Sequence, residues 1–386
     1  MTEPVLKVED LSLDYEVGGG WVHALSHVSF EIGRGRVVGI VGETGCGKST
    51  LAQAIPRLIP EPPARIRSGK VSFLGTDLYS IPAWKLPMVR GTGIGMVFQE
   101  PLNALNPAFR VYDQLAESIR IRQLRESGRA PMFRPGPNAF DYSRRPMPEP
   151  EDVYLKAIRI DGTAGRFLRR RRAISERLRA EVLDALRLVR INDPETIVGL
   201  YPHELSGGMR QRVMIAMALS EKPSLLIADE PTSALDVTIQ AQVLTLMKEL
   251  IAEVHASILF ISHDLGIIAE MADDLGVMYA GHLVEYGPVE EVFRGPRHPY
   301  TRALLRAAPT RFKSEGALDS IAGHVPNLSR LPAGCPFHPR CPLARSECRV
   351  DPGPNLLTAA VHPALRPGDP DHRSACFRAE EVAANP

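Results

Sequence analysis

The chain has 386 residues, of which 44% are hydrophobic and 24% charged, and its formal net charge is +1. This balance is typical of a globular protein with room for one large domain and an additional segment. A nearly neutral chain has no global field that attracts nucleic acid or an anionic membrane. No apolar run is long enough to cross a bilayer, and the first residues lack the basic and apolar stretches of a secretory signal. We therefore expect a cytoplasmic protein, in which any role at the membrane depends on a partner protein.

Three short apolar runs predict the strands of a buried sheet. They are Val37–Val41, Leu225–Ala228 and Ile258–Ile261, and the first is rich in β-branched residues. A predicted helix over Ser49–Ile55 follows the first, and an amphipathic helix over Val237–Val254 separates the other two. Strands that alternate with helices and end in polar residues predict a parallel α/β sheet that binds its ligand at that edge.

The segment between the first strand and the first helix matches a phosphate-binding motif. Its letters, GETGCGKS, fit the pattern G-x-x-x-x-G-K-[ST]. In this pattern the glycines let backbone N–H groups turn towards phosphates, Lys48 reaches the β- and γ-phosphates, and the Ser49 hydroxyl ligates Mg²⁺. We interpret Cys46 as a small filling residue, because the phosphates do not need its side chain. The candidate nucleotide-binding residues of the motif are Gly42, Glu43, Thr44, Gly45, Cys46, Gly47, Lys48, Ser49 and Thr50.

The second predicted strand is followed by two adjacent carboxylates, Asp229 and Glu230. Asp229 is placed to hold Mg²⁺, and Glu230 is placed to polarise an attacking water as a general base. Acidic residues at strand ends are common, so this pair alone is weak support for nucleotide hydrolysis.

The segment Leu205–Arg212, with the letters LSGGMRQR, carries the most specific signal. Ser206 can cap a helix predicted over Met209–Leu219, and the two glycines after it let an anion approach the backbone closely. Between the phosphate motif and the two carboxylates, this segment resembles the LSGGQ signature of the ATP-binding cassette (ABC) family. Met209 stands where that family usually has glutamine.

This resemblance implies a P-loop NTPase (RecA-like) core with an antiparallel β subdomain and a helical subdomain. It also implies a head-to-tail dimer, because the signature of one subunit binds the γ-phosphate of ATP held by another. The residues that it adds to the site are Ser206, Gly207 and Gly208 of the signature, Gln99 as the Q-loop residue that senses Mg²⁺ and the membrane partner, Ser233–Asp236 as the D-loop, His263 as the switch histidine, and Tyr15 as the aromatic residue stacked on adenine. The expected catalytic residues are thus Glu230, His263 and Gln99, and the expected Mg²⁺ ligands are Ser49, Gln99 and Asp229.

Longer stretches resemble the ATPase subunits of oligopeptide, dipeptide and nickel importers. They are Tyr201–Glu204, Arg210–Leu219, Glu230–Thr238, Met278–Gly281, His298–Thr301, Leu331–Phe337 and Arg340–Pro342. The resemblance implies a translocase ATPase on the cytoplasmic face of the membrane, with a second and usually different ATPase subunit, two permease subunits and an extracytoplasmic binding protein as partners. The solute stays open between dipeptides, longer peptides and nickel. A soluble ABC ATPase that is not coupled to transport is the alternative function.

We expect an ABC nucleotide-binding domain over residues 1–295 and a C-terminal extension over residues 296–386. An Arg- and Pro-rich insertion over residues 121–180 lies where the importer family has a shorter connection. We interpret this insertion as a solvated loop. Contact of its basic block, Arg166–Arg172, with anionic lipid headgroups or with the permease is the alternative.

Four of the five cysteines lie in the C-terminal extension, at Cys335, Cys341, Cys348 and Cys376. In a reducing compartment such a group favours metal or cluster ligation over disulfides. The spacing is not the C-x2-C of structural zinc sites, and four thiolates suit a [4Fe–4S] cluster. The importer resemblance favours the cluster, with Zn²⁺ next and free thiols last. Either metal group would hold together a proline-rich segment that is too short for a core of its own.

Overall fold

The structure is a computed structural model that describes residues 3–91, 93–127, 164–233, 235–254, 256–307, 321–351 and 372–383. The chain divides into two compact units. Unit 1 comprises Met1–Pro82, Ile227–Glu230 and Ser257–Pro386, and unit 2 comprises Ala83–Leu226 and Pro231–Ala256. Over the described ranges no helix has the length and apolar character that a membrane span requires.

The strands are β1 (Leu6–Val17), β2 (Gly20–Ile32), β3 (Val37–Val41), β4 (Ala64–Phe73), β5 (Thr76–Asp77), β6 (Ile94–Val97), β7 (Leu225–Asp229), β8 (Ser257–Ile261), β9 (Asp274–Tyr279), β10 (His282–Pro288) and β11 (Arg373–Ser374). The α-helices are α1 (Lys48–Ala54), α2 (Leu86–Val89), α3 (Pro101–Ala104), α4 (Val111–Glu126), α5 (Ala164–Leu188), α6 (Pro194–Ile197), α7 (Gly207–Ser220), α8 (Val237–Val254), α9 (Leu265–Met271), α10 (Val289–Arg294), α11 (Pro299–Ala307) and α12 (Ala379–Ala383). Short 3-10 turns occupy Ala83–Lys85, Pro202–Glu204, His338–Arg340 and Ser346–Arg349.

Unit 1 contains an antiparallel sheet with the strand order β2-β1-β4-β5. β1 is its centre: Leu6 lies opposite Ile32 of β2 on one side and Phe73 of β4 on the other. These three side chains are fully buried, as expected where alternate residues of each strand face a core. The antiparallel β subdomain that the family resemblance implies is therefore present.

Within unit 1 the strands of the main sheet follow the order β11-β10-β9-β3-β8-β7. β3 runs parallel to both β8 and β9, with Val38 opposite Leu259 and Asp274. All five residues of β3 are buried, which is typical of a parallel strand covered on both faces. The prediction of a parallel α/β sheet is confirmed, and β7 and β8 are each one residue longer than predicted.

Unit 2 is mainly helical. Helix α4 packs against α5 and α7, and α5 packs against α7. An ion pair between Arg122 and Glu181, at 2.7 Å, joins α4 to α5. Helix α8 has the bounds predicted from its amphipathic pattern.

The interpretation of the whole insertion as a loop is wrong at both of its ends, because residues 121–126 continue helix α4 and residues 164–180 belong to helix α5. The basic block Arg166–Arg172 therefore lies on α5. The middle of the insertion, residues 128–163, lies outside the described residues.

We use the name C-terminal segment for residues 321–351 and 372–383 of unit 1. This segment has little regular structure, and it is joined to the main sheet through β11, which pairs with β10. The Ala375 N–H also donates to the Val284 carbonyl at 2.8 Å. Phe337, which is 1% exposed, packs against Tyr279 and Tyr300 with ring centroids 5.2 and 5.4 Å away. The C-terminal segment thus shares its core with the rest of unit 1.

Candidate functional site

The phosphate loop, residues 42–49, connects β3 to α1. Gly42, Gly45 and Gly47 have φ values of 155°, 80° and 104°, a region that favours glycine. A Cβ at Gly42 would lie 2.2 Å from the Met278 carbonyl oxygen, and one at Gly47 would lie 2.5 Å from the Ala24 carbonyl oxygen. Glycine at these two positions is therefore required by close backbone packing as well as by backbone conformation.

Lys48 is the first residue of α1 and its side chain lies along the phosphate loop. It is 5% exposed, and its ammonium group donates to the carbonyls of Gly42 at 2.8 Å and Glu43 at 3.2 Å. Cys46 is fully buried in the same loop, and burial raises the pKa of its thiol. Cys46 thus occupies the filling position predicted for it, and Lys48 brings a cation to the loop.

Asp229, the last residue of β7, lies next to the phosphate loop. The Ser49 hydroxyl donates to Asp229 Oδ1 at 3.2 Å. Burial raises the pKa of Asp229, and the Ser49 hydrogen bond partly opposes that shift. Hydroxyl and carboxylate oxygens are the ligands that Mg²⁺ prefers, and Mg²⁺ is usually held by one or two carboxylates together with substrate phosphates. Accordingly, in the described part of the chain no group of three His, Cys, Asp or Glu side chains is arranged to hold a metal ion by itself.

Glu230 and His263 come together where β7 and β8 end. The Glu230 N–H donates to the Ile261 carbonyl at 3.0 Å, and Glu230 Oε2 lies 3.3 Å from His263 Nδ1. Glu230 has a φ of 44°, and a non-glycine residue in this region is strained in a way that is common at functional sites. The Glu230 side chain is 14% exposed and that of His263 is 59% exposed. The pair therefore offers a mostly buried carboxylate beside an accessible imidazole.

The LSGGM segment lies in unit 2 at the start of α7. Ser206 is the N-cap, and its hydroxyl accepts from the Met209 N–H at 3.3 Å. The helix begins at Gly207, two residues before the predicted start. A Cβ at Gly208 would lie 2.8 Å from Ile239 Cγ2. The close contact at Gly208 is with α8, whereas Ser206 is exposed. The N-capped helix start is therefore open to an anion, and its role in binding one stays a prediction.

The remaining predicted residues are distributed over both units. In unit 2, Gln99 is exposed just after β6, and Asp236 caps α8 by accepting from the Ile239 N–H at 3.0 Å. In unit 1, Tyr15 is half-buried in β1, opposite Val22 of β2.

The four C-terminal cysteines line a single cavity together with aromatic side chains. Three are buried and Cys341 is half-buried. Burial raises the pKa of the Cys335 thiol to about 12 and also raises the pKa of Cys341 and Cys376. The lining residues include Cys335, Cys341, Cys348, Cys376, Phe337 and Phe377. The four predicted ligands thus line one cavity, but over the described residues no three of them are arranged to hold a metal ion, so the metal site stays a prediction.

Two contacts of the phosphate loop were not predicted from the sequence. The Glu43 carboxylate forms a two-pronged ion pair with Arg340, at 2.8 and 3.1 Å, and the Glu43 N–H donates to the Tyr300 hydroxyl at 2.9 Å. The partners are 297 and 257 residues apart in the chain, so no local pattern reveals them. Their only sequence signal is that the stretches His298–Thr301 and Arg340–Pro342 resemble the importer family.

Comparison with known proteins agrees with this geometry. Residues 25–233 match the family model described as ABC transporter. Residues 284–348 match the model described as oligopeptide/dipeptide transporter, C-terminal region.

The chain is 39% identical over 377 residues to the probable D,D-dipeptide transport ATP-binding protein DdpD of Escherichia coli K12, which covers 98% of this chain and 97% of that protein. It is 42% identical over 334 residues to the oligopeptide transport ATP-binding protein OppD of Bacillus subtilis 168, covering 86% and 80% of the two chains. The solved dimer of the ATP-binding cassette MJ0796 with ADP and Pi is similar with a TM-score of 0.54 and 22% identity, over 74% of this chain and 98% of that one. The last similarity supports the fold alone. The chain therefore belongs to the ABC transporter family, as an ATP-binding protein of its oligopeptide/dipeptide branch.

Proposed function

We propose that this chain binds and hydrolyses ATP, and that hydrolysis powers the import of dipeptides or oligopeptides through separate permeases. The observation that carries the proposal is the pairing of Ser49 with Asp229 and of Glu230 with His263 in unit 1. Oxygen ligands for Mg²⁺ and a carboxylate beside an imidazole are what phosphoryl transfer to water requires.

In this proposal the backbone amides of the phosphate loop and Lys48 bind the phosphates of ATP. Ser49 and Asp229 hold Mg²⁺, with Gln99 as a further ligand, and the bound ion neutralises phosphate charge. Thr50, next to Ser49 on α1, and Tyr15, stacked on adenine, complete the nucleotide contacts.

Glu230 is the proposed general base. Its carboxylate takes a proton from the attacking water, while His263 beside it contacts the γ-phosphate and holds the carboxylate in place. We expect Glu230→Gln to lower the ATPase rate of the assembled transporter by ~10²–10⁴-fold, since general-base help contributes that much. ATP binding should persist, because the amide keeps the size of the side chain. Glu290→Gln, at an exposed position of α10, is the matched control. An unchanged ATPase rate in Glu230→Gln would show that Glu230 is not the general base.

We further propose that Ser206, Gly207 and Gly208 act on ATP held by a second ABC subunit, with the D-loop residues Ser233–Asp236 at the dimer contact. The exposed, capped start of α7 supports this role. The substitution Ser206→Arg would place a long side chain at the start of α7, where we propose that the γ-phosphate binds. We therefore expect Ser206→Arg to abolish ATP-dependent dimerisation in the Glu230→Gln background, as measured by light scattering.

The peptide-import part of the proposal is supported by the C-terminal family match and by the printed functions of the two relatives. The proposed partners are a second ATPase subunit encoded as a different chain, two permeases and an extracytoplasmic binding protein. We place this chain on the cytoplasmic face of the membrane. Uptake of labelled dipeptides, longer peptides and Ni²⁺ by cells that carry and lack this chain identifies the solute. ATPase activity without any uptake defect would favour the soluble ABC ATPase instead.

We also propose that Cys335, Cys341, Cys348 and Cys376 hold a [4Fe–4S] cluster. All four line one cavity, yet no three are arranged around a single ion within the described chain. Four thiolates suit a [4Fe–4S] cluster, with one at each of its irons, and the importer resemblance also supports it. Zn²⁺, with four ligands at ~2.3 Å, is the alternative.

Anaerobic purification followed by a visible absorption spectrum and metal analysis tests the cluster. We expect a brown protein with iron and sulfide, and loss of the colour in Cys376→Ser but not in Cys46→Ser. A colourless protein with stoichiometric zinc would overturn the cluster and support zinc.

For domain organisation we propose the boundary at residue 295 between the nucleotide-binding domain and the C-terminal extension, as in the sequence prediction. The basic start of α5, Arg166–Arg172, is proposed as solvated surface. Retained transport after deletion of residues 129–172 would support this interpretation, and loss of complex assembly would favour contact with lipid or permease.

A further inference from the structure

Glu43 puts a carboxylate inside the phosphate loop, one residue after Gly42. The loop's proposed ligand is a triphosphate, so an uncompensated carboxylate there would repel it. This position therefore needs a cation or must be turned away from the ligand.

Arg340 of the C-terminal segment supplies the cation and also holds the Glu43 carboxylate in place. Its two terminal nitrogens lie 2.8 and 3.1 Å from the two Glu43 carboxylate oxygens, the bidentate arrangement that gives strong and directional ion pairs. The Arg340 side chain is only 5% exposed and that of Glu43 is 26% exposed. Hydrogen bonding to Glu43 is the largest cause that raises the pKa of Arg340. The guanidinium is therefore a fixed charge.

Further contacts fix Arg340 itself. Its Nε donates to the Ala322 carbonyl at 2.9 Å, and its guanidinium carbon lies 5.8 and 5.9 Å from the ring centroids of Tyr279 and Phe337. The side chain sits at the end of the 3-10 turn His338–Arg340, directly before Cys341. These contacts fix the position of the Arg340 side chain in the core that the C-terminal segment shares with the rest of unit 1.

The backbone of Glu43 is held as well. Its N–H donates to the Tyr300 hydroxyl at 2.9 Å, and its carbonyl accepts from Lys48 at 3.2 Å. Tyr300 is fully buried against Tyr279 and Phe337. Side chain, N–H and carbonyl of one loop residue are therefore all engaged, the first two by residues C-terminal to residue 295.

We propose that Arg340 is a positioning residue of the ATP site, which neutralises and orients Glu43 so that the phosphate loop accepts a triphosphate. The proposal rests on the proposed ATP binding at this loop. It makes the C-terminal segment a functional part of the nucleotide site. Since Arg340 acts on ground-state binding, its loss should raise the KM for ATP more than it lowers kcat.

The test measures the Kd for Mg·ATP of the full chain by calorimetry, with thermal unfolding as a check of folding. Arg340→Met keeps the packing of the aliphatic stem and removes the charge, and we expect it to weaken binding at least tenfold. Glu43→Gln removes the carboxylate, so it should tighten binding alone and restore binding to within threefold of wild type when combined with Arg340→Met. A merely structural arginine would not be rescued in this way.

Arg345→Ala is the matched control, because Arg345 lies in the same segment and forms an exposed ion pair with Glu381. Wild-type affinity in Arg340→Met, or a double variant as weak as Arg340→Met, would overturn the inference. Lys48→Ala distinguishes failure of the proposed ATP site from failure of the proposed role of Arg340. If Lys48→Ala binds Mg·ATP normally, the proposed ATP site is wrong. If Lys48→Ala loses binding and Arg340→Met does not, only the role of Arg340 is wrong.

Discussion

The phosphate loop and the C-terminal segment lie in the same unit but are determined in different ways. The loop depends on its backbone: Gly42 and Gly47 have positive φ and meet carbonyl oxygens at distances that exclude a Cβ. The C-terminal segment depends on side chains as well as on the backbone pairing of β11, since Phe337 and Arg340 make contacts with the rest of unit 1. A function carried by backbone geometry leaves a compact motif in the sequence, whereas anchoring by side chains leaves scattered residues.

The largest effect should come from the aromatic anchor of the C-terminal segment. Phe337→Ala removes a side chain that is 1% exposed, and we expect it to lower the free energy of unfolding by about 3–5 kcal/mol. Urea denaturation measures this change. Val350→Ala in the same segment, at 58% exposure, should stay within about 0.5 kcal/mol. Equal effects of the two substitutions would break the claim that side-chain anchors hold this segment.

The matching test of the phosphate loop adds one methyl group to its backbone. Gly42→Ala introduces a Cβ 2.2 Å from a carbonyl oxygen, whereas a Cβ at Gly45 has no neighbour within 4 Å. Strain and overpacking together predict a loss of about 2–5 kcal/mol for Gly42→Ala. Strain alone predicts about 1–2 kcal/mol for Gly45→Ala. Both are compared by urea denaturation without nucleotide, and similar losses would contradict the importance of the close backbone contact.

The smallest expected effect concerns the charge of Asp229, which lies beside the phosphate loop. Arg340 is compensated by Glu43, whereas burial raises the pKa of Asp229, so the folded state disfavours its ionised form. A raised carboxyl pKa means that stability falls as pH rises from the unfolded-state value of about 4 through the higher pKa of the folded state. Asp229→Asn should therefore raise the unfolding temperature slightly at neutral pH without Mg²⁺ or nucleotide.

The gain from Asp229→Asn should shrink as the pH is lowered towards 4, where wild-type Asp229 becomes protonated. Thermal unfolding over pH 4–8 measures it, and Asp184→Asn on the surface of α5, at 69% exposure, is the control. A gain that does not depend on pH would show that the ionisation of Asp229 is not its cause.

Much of the ATP site was predictable because its signals are local. The apolar run Val37–Val41 predicted a strand with the observed bounds. Ser206 indicated the N-cap of α7, although the helix starts two residues earlier than predicted. The pairing of Arg340 with Glu43 was not predictable, because two charged residues 297 positions apart have many other possible partners. The convergence of the four cysteines was predicted from composition, whereas the arrangement of their sulfur atoms depends on packing that the sequence does not display.

The strand β11 has a consequence for the behaviour of shortened chains. It pairs with residues Glu285 and Tyr286 of β10 and is the outermost strand of the main sheet. Removal of the chain after residue 351 would leave the hydrogen-bonding edge of β10 open. Exposed edges of this kind recruit strands from other molecules. Such a truncated chain should therefore self-associate into aggregates, even with its phosphate loop intact.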